Sequence, residues 1–148
     1  MKINICLLPA FAALFLVSCN TESANGDIEI SDAWARATAP GQTGAAAYLT
    51  LVNETDADVR LVGVSSDVGM AALHRTQIEN GIASMSPVEG GINIRGGSDE
   101  RLEPQGDHIM IMGLKEPLQA GGSFTVTLDF EGAEDRDVEV KVVEPGAR

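Results

Sequence analysis

From Asp27 onward the chain contains no stretch of helical periodicity. Short runs rich in Val, Ile, Leu and Thr are instead cut at fairly regular intervals by Gly, Pro, Asn and Asp, and such punctuation permits little except short strands. The pattern predicts strands near 28–34, 46–53, 59–65, 71–79, 82–88, 92–94, 108–112, 123–130 and 138–143. Turn chemistry separates most of them, as at Ala39-Pro40-Gly41, Asn53-Glu54-Thr55-Asp56, Asn80-Gly81, Gly96-Gly97 and Ala120-Gly121-Gly122. Glu103-Pro104-Gln105-Gly106 interrupts pairing ahead of His108. Ala45-Ala46-Ala47 favours helix on propensity alone, but it runs into the short, strand-like Tyr48-Leu49-Thr50-Leu51-Val52 and is read as β. About nine short strands imply an all-β sandwich or Greek-key barrel.

The N-terminus is of another kind. Lys2 precedes an apolar run from Ile5 to Val17, too short to span a bilayer as a permanent helix, and residues 1–18 read as a secretion signal. The run ends in Leu16-Val17-Ser18-Cys19, which resembles a bacterial lipobox. Cleavage before Cys19 would leave a thiol to be acylated, and several acyl chains on one residue make a stable anchor. The plainer reading is an ordinary signal with Cys19 at its boundary by chance. Asn20 in place of Asp resembles outer-membrane sorting. Residues 19–26 are small and polar, as a tether would be, which leaves 27–148 as one domain.

The chain carries a formal net charge of −12, and without Lys2 nine basic residues face 22 acidic ones. Nucleic acid and anionic membrane are poor partners for such a surface. A cation or a basic docking face is favoured, although solubility alone also accounts for the charge. Cys6 falls in the signal and Cys19 at the lipid site, so the domain has no thiol. That excludes a disulfide framework, a Cys nucleophile, a thiolate zinc site and a blue-copper centre, and any soft metal must be held by methionine.

The Asn80-Gly81 dipeptide is a strong hairpin signal, and a two-residue turn there sets Glu79 opposite Ile82, Thr76 opposite Met85 and His74 opposite Pro87. His74 and Met85 then share a face as diagonal neighbours, with backbones roughly 7–8 Å apart. His108 and Met110, one residue apart, project to the same side of a strand. Imidazole and thioether suit a soft, low-charge ion such as Cu(I), whereas Zn(II), Ca(II) and Mg(II) prefer thiolate, imidazole or oxygen. Each residue also has a structural reading: a histidine held by hydrogen bonds, a methionine filling core. Met70 and Met112 are assigned to the core, with Met112 as a reserve ligand because it shares the face of His108 and Met110.

These residues resemble the motif of the periplasmic copper chaperones called PCuAC, which is similar to His, ten residues, Met, some twenty residues, then His-x-Met. Here ten residues separate His74 from Met85, and 22 separate Met85 from His108-Ile109-Met110. Flanking segments of the same type are Ala33-Trp34-Ala35-Arg36-Ala37-Thr38, Tyr48-Leu49-Thr50-Leu51, Glu79-Asn80-Gly81, Pro87-Val88 and Met112-Gly113-Leu114-Lys115. The resemblance covers roughly 27–143. It implies a cupredoxin-like fold and one Cu(I) per chain, ligated by His74, Met85, His108 and Met110. It also implies transfer to a copper-accepting protein, such as the CuA site of cytochrome c oxidase subunit II or another chaperone, by a protein anchored to the envelope membrane and facing the periplasm. Two departures stand out: Thr76 occupies a position where many relatives have Met, and Arg75 adds a positive charge beside the expected site. The segment from Val143 to Arg148 has no His or Met, so no Cu(II) tail site is expected. Neither histidine has a companion Ser or Cys in a catalytic motif, which argues against an enzyme. The other readings are an envelope lipoprotein interaction module without metal, and a copper storage or tolerance protein. An electron-transfer cupredoxin is opposed by the missing cysteine.

Overall fold

The computed structural model describes residues 27–148, so the expected signal at 1–18, Cys19 and the tether at 19–26 lie outside the described residues. Ten strands follow one another: β1 (Ile28–Arg36), β2 (Gly44–Asn53), β3 (Val59–Ser66), β4 (Met70–Glu79), β5 (Ile82–Pro87), β6 (Ile92–Ile94), β7 (Asp99–Leu102), β8 (Asp107–Met112), β9 (Ser123–Glu131) and β10 (Arg136–Val143). No helix forms among the described residues. The all-β expectation holds, and the alanines at 45–47 lie inside β2.

The strands hydrogen-bond in the order β5-β4-β8-β2-β1-β10-β9-β3-β6, with β7 also pairing with β2. Only β1 and β10 run parallel; the other pairs are antiparallel. One buried cluster joins Leu49, Leu73, Ile109 and Ile111 from one half of the ladder to Leu61, Val126, Leu128 and Val140 from the other. The sheet therefore folds over on itself around a single core. Ile109 and Ile111 are fully buried on β8, each contributing about 1.5–3 kcal/mol by leaving water.

The Asn80-Gly81 turn sets the predicted register, with Glu79 opposite Ile82, Thr76 opposite Met85 and His74 opposite Pro87. Both turn residues have positive φ, 52° and 79°, as a type I′ hairpin requires. Two expectations fail. Strand β7 falls where no strand was predicted, because three of the residues in Asp99-Glu100-Arg101-Leu102 are charged and only Leu102 is fully buried. Met70 and Met112 are also not core: Met70 is 70% exposed and Met112 36%, because both alternate away from Ile109 and Ile111 to the outer face.

Candidate metal centre

In β4 and β8 the pleat separates two chemistries. Leu73, Ile109 and Ile111 point inward, while the alternate positions carry His74, His108 and Met110 outward. The pairing places His74 directly opposite His108 and Ala72 opposite Met110, while β5 sets Met85 beside them opposite Thr76. Both histidines and all four methionines of the described residues thus share one face of the β5-β4-β8 ribbon. The imidazole centroids of His74 and His108 are 6.2 Å apart, with their planes tilted by 52°.

Three polar or charged side chains are buried: Asn53, Asp107 and His108. Asn53 is satisfied, since its amide donates to the carbonyls of Ala57 and Ile94 at 2.8 and 3.0 Å and its oxygen accepts from Thr55. Asp107 receives a bidentate fork from Arg75 at 2.5 and 2.6 Å. His108 is satisfied on one side only. A carbonyl can only accept, so Nδ1–H donates to Gly106 O at 3.1 Å, which in a neutral ring makes Nε2 the acceptor nitrogen. That Nε2 is buried with no hydrogen-bond partner, and so is Nδ1 of His74. Leaving a buried polar nitrogen unsatisfied costs about 1–3 kcal/mol, and two such atoms on rings of facing strands fit a pair that ligates an ion.

The turn that interrupts pairing between β7 and β8 positions this ring. Gln105 takes a left-handed φ of 71°, and Gly106 O accepts both from His108 Nδ1 and from the backbone N–H of Thr76. One carbonyl therefore ties the imidazole of β8 to the backbone of β4.

Arg75 does not bring its charge to the site. Strand alternation turns it to the face opposite His74, and the Asp107 carboxylate neutralises it. The Asp107 hydrogen bond holds the Arg75 guanidinium still more firmly protonated. Glu100 lies close by, and its carboxyl is pushed up by burial and then by the charge of Asp107.

Two aromatic neighbours escaped sequence reasoning. Tyr48 lies 6.4 Å from His108, ring centre to ring centre, and Trp34 lies 4.6 Å beyond Tyr48. Burial pushes the Tyr48 phenol up. Arg36 and Arg148 lie over Trp34 at 5.4 and 5.7 Å, closing the far end of the row. The only advance signal for Tyr48 is its even position in β2, in step with Ala46 opposite Met110, and that depends on a pairing between distant segments.

Among the described residues no three His, Cys, Asp or Glu side chains gather as a metal-binding group. Beside the two imidazoles this face carries methionine thioethers, a combination of donors that suits soft, low-charge metals.

Comparison with solved structures places the chain in the class of PCuAC domains. It superposes on the "Copper-bound PCuAC domain from PmoF2" with a TM-score of 0.66 at 27% identity, covering 82% of this chain and 97% of that one. It superposes on the Cu(I) form of DR1885 from Deinococcus radiodurans with a TM-score of 0.64 at 29% identity, covering 82% and 81%. Within that class the chain belongs to the family described as "Putative lipoprotein LpqE-like", whose model matches residues 28–142. A relative in Leifsonia xyli subsp. xyli, "Putative lipoprotein Lxx21020", is 37% identical over 116 residues, spanning 78% of this chain and 69% of that protein.

Proposed function

We propose that this protein carries one Cu(I) between His74, Met85, His108 and Met110 and hands it to a copper-accepting partner. The observation that carries the reading is the pair of buried, unpartnered nitrogens, His108 Nε2 and His74 Nδ1, on facing strands of a surface that also holds the methionines. The copper-bound and Cu(I)-bound states of the two structural relatives support it. The ion is cargo. Imidazole and thioether ligands are neutral and hold Cu(I) without a thiol that an oxidising compartment would consume. Thioethers can also be displaced one at a time by an acceptor's ligands, so release needs no redox step. The acceptor we favour is the CuA site of cytochrome c oxidase subunit II, with another copper chaperone as the alternative. The role proposed is transport rather than catalysis.

The same proposal places the domain, residues 27–148, outside the cytoplasm. Signal 1–18 is removed, Cys19 is acylated, and residues 19–26 tether the fold to the envelope membrane on its periplasmic side. The lipoprotein descriptions of the family and of the Leifsonia relative support this. Replacing Cys19 by Ala should move the protein from the membrane to the soluble fraction, and unchanged membrane recovery would rule out the lipid anchor.

The binding test is a Cu(I) titration of the full chain against a competing chelator, beside a Met85→Ala/Met110→Ala double variant. The wild type should withdraw one ion from the chelator and the variant should not; equal, weak binding by both would leave only an interaction module without metal. Delivery is tested in copper-limited cells lacking the gene. Oxidase activity should fall, and unchanged activity would point to storage or tolerance.

A further inference from the structure

The site above uses Met85 and Met110 and leaves Met70 and Met112. These two oppose each other directly across β4 and β8, on the face that carries both histidines, and both are solvent-accessible. A directly opposed antiparallel pair has Cβ atoms about 4.5–5.5 Å apart, a gap that two unbranched thioether side chains easily close to bring their sulfurs together. Single exposed apolar residues are ordinary. Two opposed methionines, one strand step beyond a third on a face of metal-binding residue types, are not scattered in that way.

Met110 connects the two groups. It stands between His108 and Met112 along β8, opposite Ala72 on β4 and Ala46 on β2, whose small side chains leave its thioether room. Its methyl end lies over Gly44, where a Cβ would stand 3.2 Å from Met110 Cε, and Gly44 is the residue paired with Met112. Met110 therefore leans along β8 away from His108 toward the Met112 end, on the β2 side of that strand.

We propose that Met70 and Met112 form a second, weaker thioether site for Cu(I), through which the ion enters and leaves the histidine site by way of Met110. The inference rests on the function proposed above. The step is ligand exchange only: a sulfur–copper bond forms as an imidazole or thioether bond breaks, copper stays monovalent, and no proton or electron moves. The exposed end of the row receives the ion from solvent or presents it to an acceptor, and the acidic surface of the protein raises the local concentration of the cation.

The test is an anaerobic Cu(I) titration of the full chain carrying ¹³C-methyl methionine, read by NMR, with Met70→Leu, Met112→Leu and the double variant. Leucine keeps the volume at these surface positions and removes the sulfur. The first equivalent should shift the methyls of Met85 and Met110, and the second those of Met70 and Met112. Either single variant should weaken the second equivalent by about tenfold or more, as loss of one arm of a two-arm chelate does, while the first is retained. Small, independent losses in the two single variants, or Met70 and Met112 methyls that stay unmoved through the second equivalent, would overturn this site and leave the proposed function standing. Shifts confined to Met70 and Met112 would sustain this site and remove the histidine one. No shift at any methionine would remove both.

Discussion

His108 and Met85 contribute the same kind of neutral, soft-metal donor from opposite environments. His108 sits on β8 between β4 and β2, is 2% exposed, and has its ring fixed by the Gly106 carbonyl. Met85 sits on β5, an edge strand exposed at every residue, and is itself 53% exposed. A donor held in place before binding loses little freedom when the ion arrives, whereas a mobile edge residue loses more and gives more back on release. In the proposed site, the difference would give retention to the fixed His108 ring and exchange to the thioethers, Met85 on the hairpin among them.

Breaking the fixed half should have the largest effect. His108→Ala removes the preorganised nitrogen and should lower Cu(I) affinity by more than the roughly 100-fold that loss of an outer-shell partner can cost, measured by chelator competition. Met85→Leu should have a smaller effect on affinity and a larger one on transfer: by stopped flow, the copper off-rate to a chelator should rise while most of the binding remains. If Met85→Leu proves as damaging as His108→Ala, the assignment of roles fails. Gly81→Val acts on the exposed half through its scaffold. A β-branched residue at φ 79° costs about 1–2 kcal/mol, so β5 should fray and Met85 lose its register, while hydrogen exchange in β8 stays protected. Gly44→Ala is milder still: its methyl crowds the flexible end of Met110 and stands at ordinary contact distance from Ile111 O, and a several-fold change in Cu(I) affinity with unchanged melting temperature is expected.

The smallest effect should come from a residue in neither half. Arg136 holds the Asp27 carboxyl below the usual carboxylate range, through a side-chain hydrogen bond first and the Ile28 amide second. A carboxyl lowered in the folded state stabilises above its unfolded pKa, and the gain is lost as pH falls through the folded value. Asp27→Asn should therefore melt slightly lower at neutral pH, converge with wild type in strong acid, and bind copper normally throughout.

Much of this arrangement is legible in the sequence wherever it is local. Asn80-Gly81 dictates a register that can be counted, and the hairpin follows it pair by pair; the spacing of His108 and Met110 places them on one side of a strand without further knowledge. What escapes depends on distant segments. Alternation puts Met112 on the face of His108 and Met110, but only the pairing of β4 with β8 puts Met70 on that face, opposite Met112. The carboxylate that neutralises Arg75 lies 32 residues away, and Tyr48 reaches His108 through a strand 60 positions earlier. Strand β7 is hidden by its charges, because an edge segment on β2 needs only one buried side chain to be held.

The central claim is a ligand set, and X-ray absorption of the full chain loaded with less than one equivalent of Cu(I) tests it most directly. The account predicts a first shell of two imidazole nitrogens and two thioether sulfurs, with the imidazole signal reduced by about half in His108→Ala. A shell of sulfur alone, or one of nitrogen and oxygen without sulfur, would contradict it.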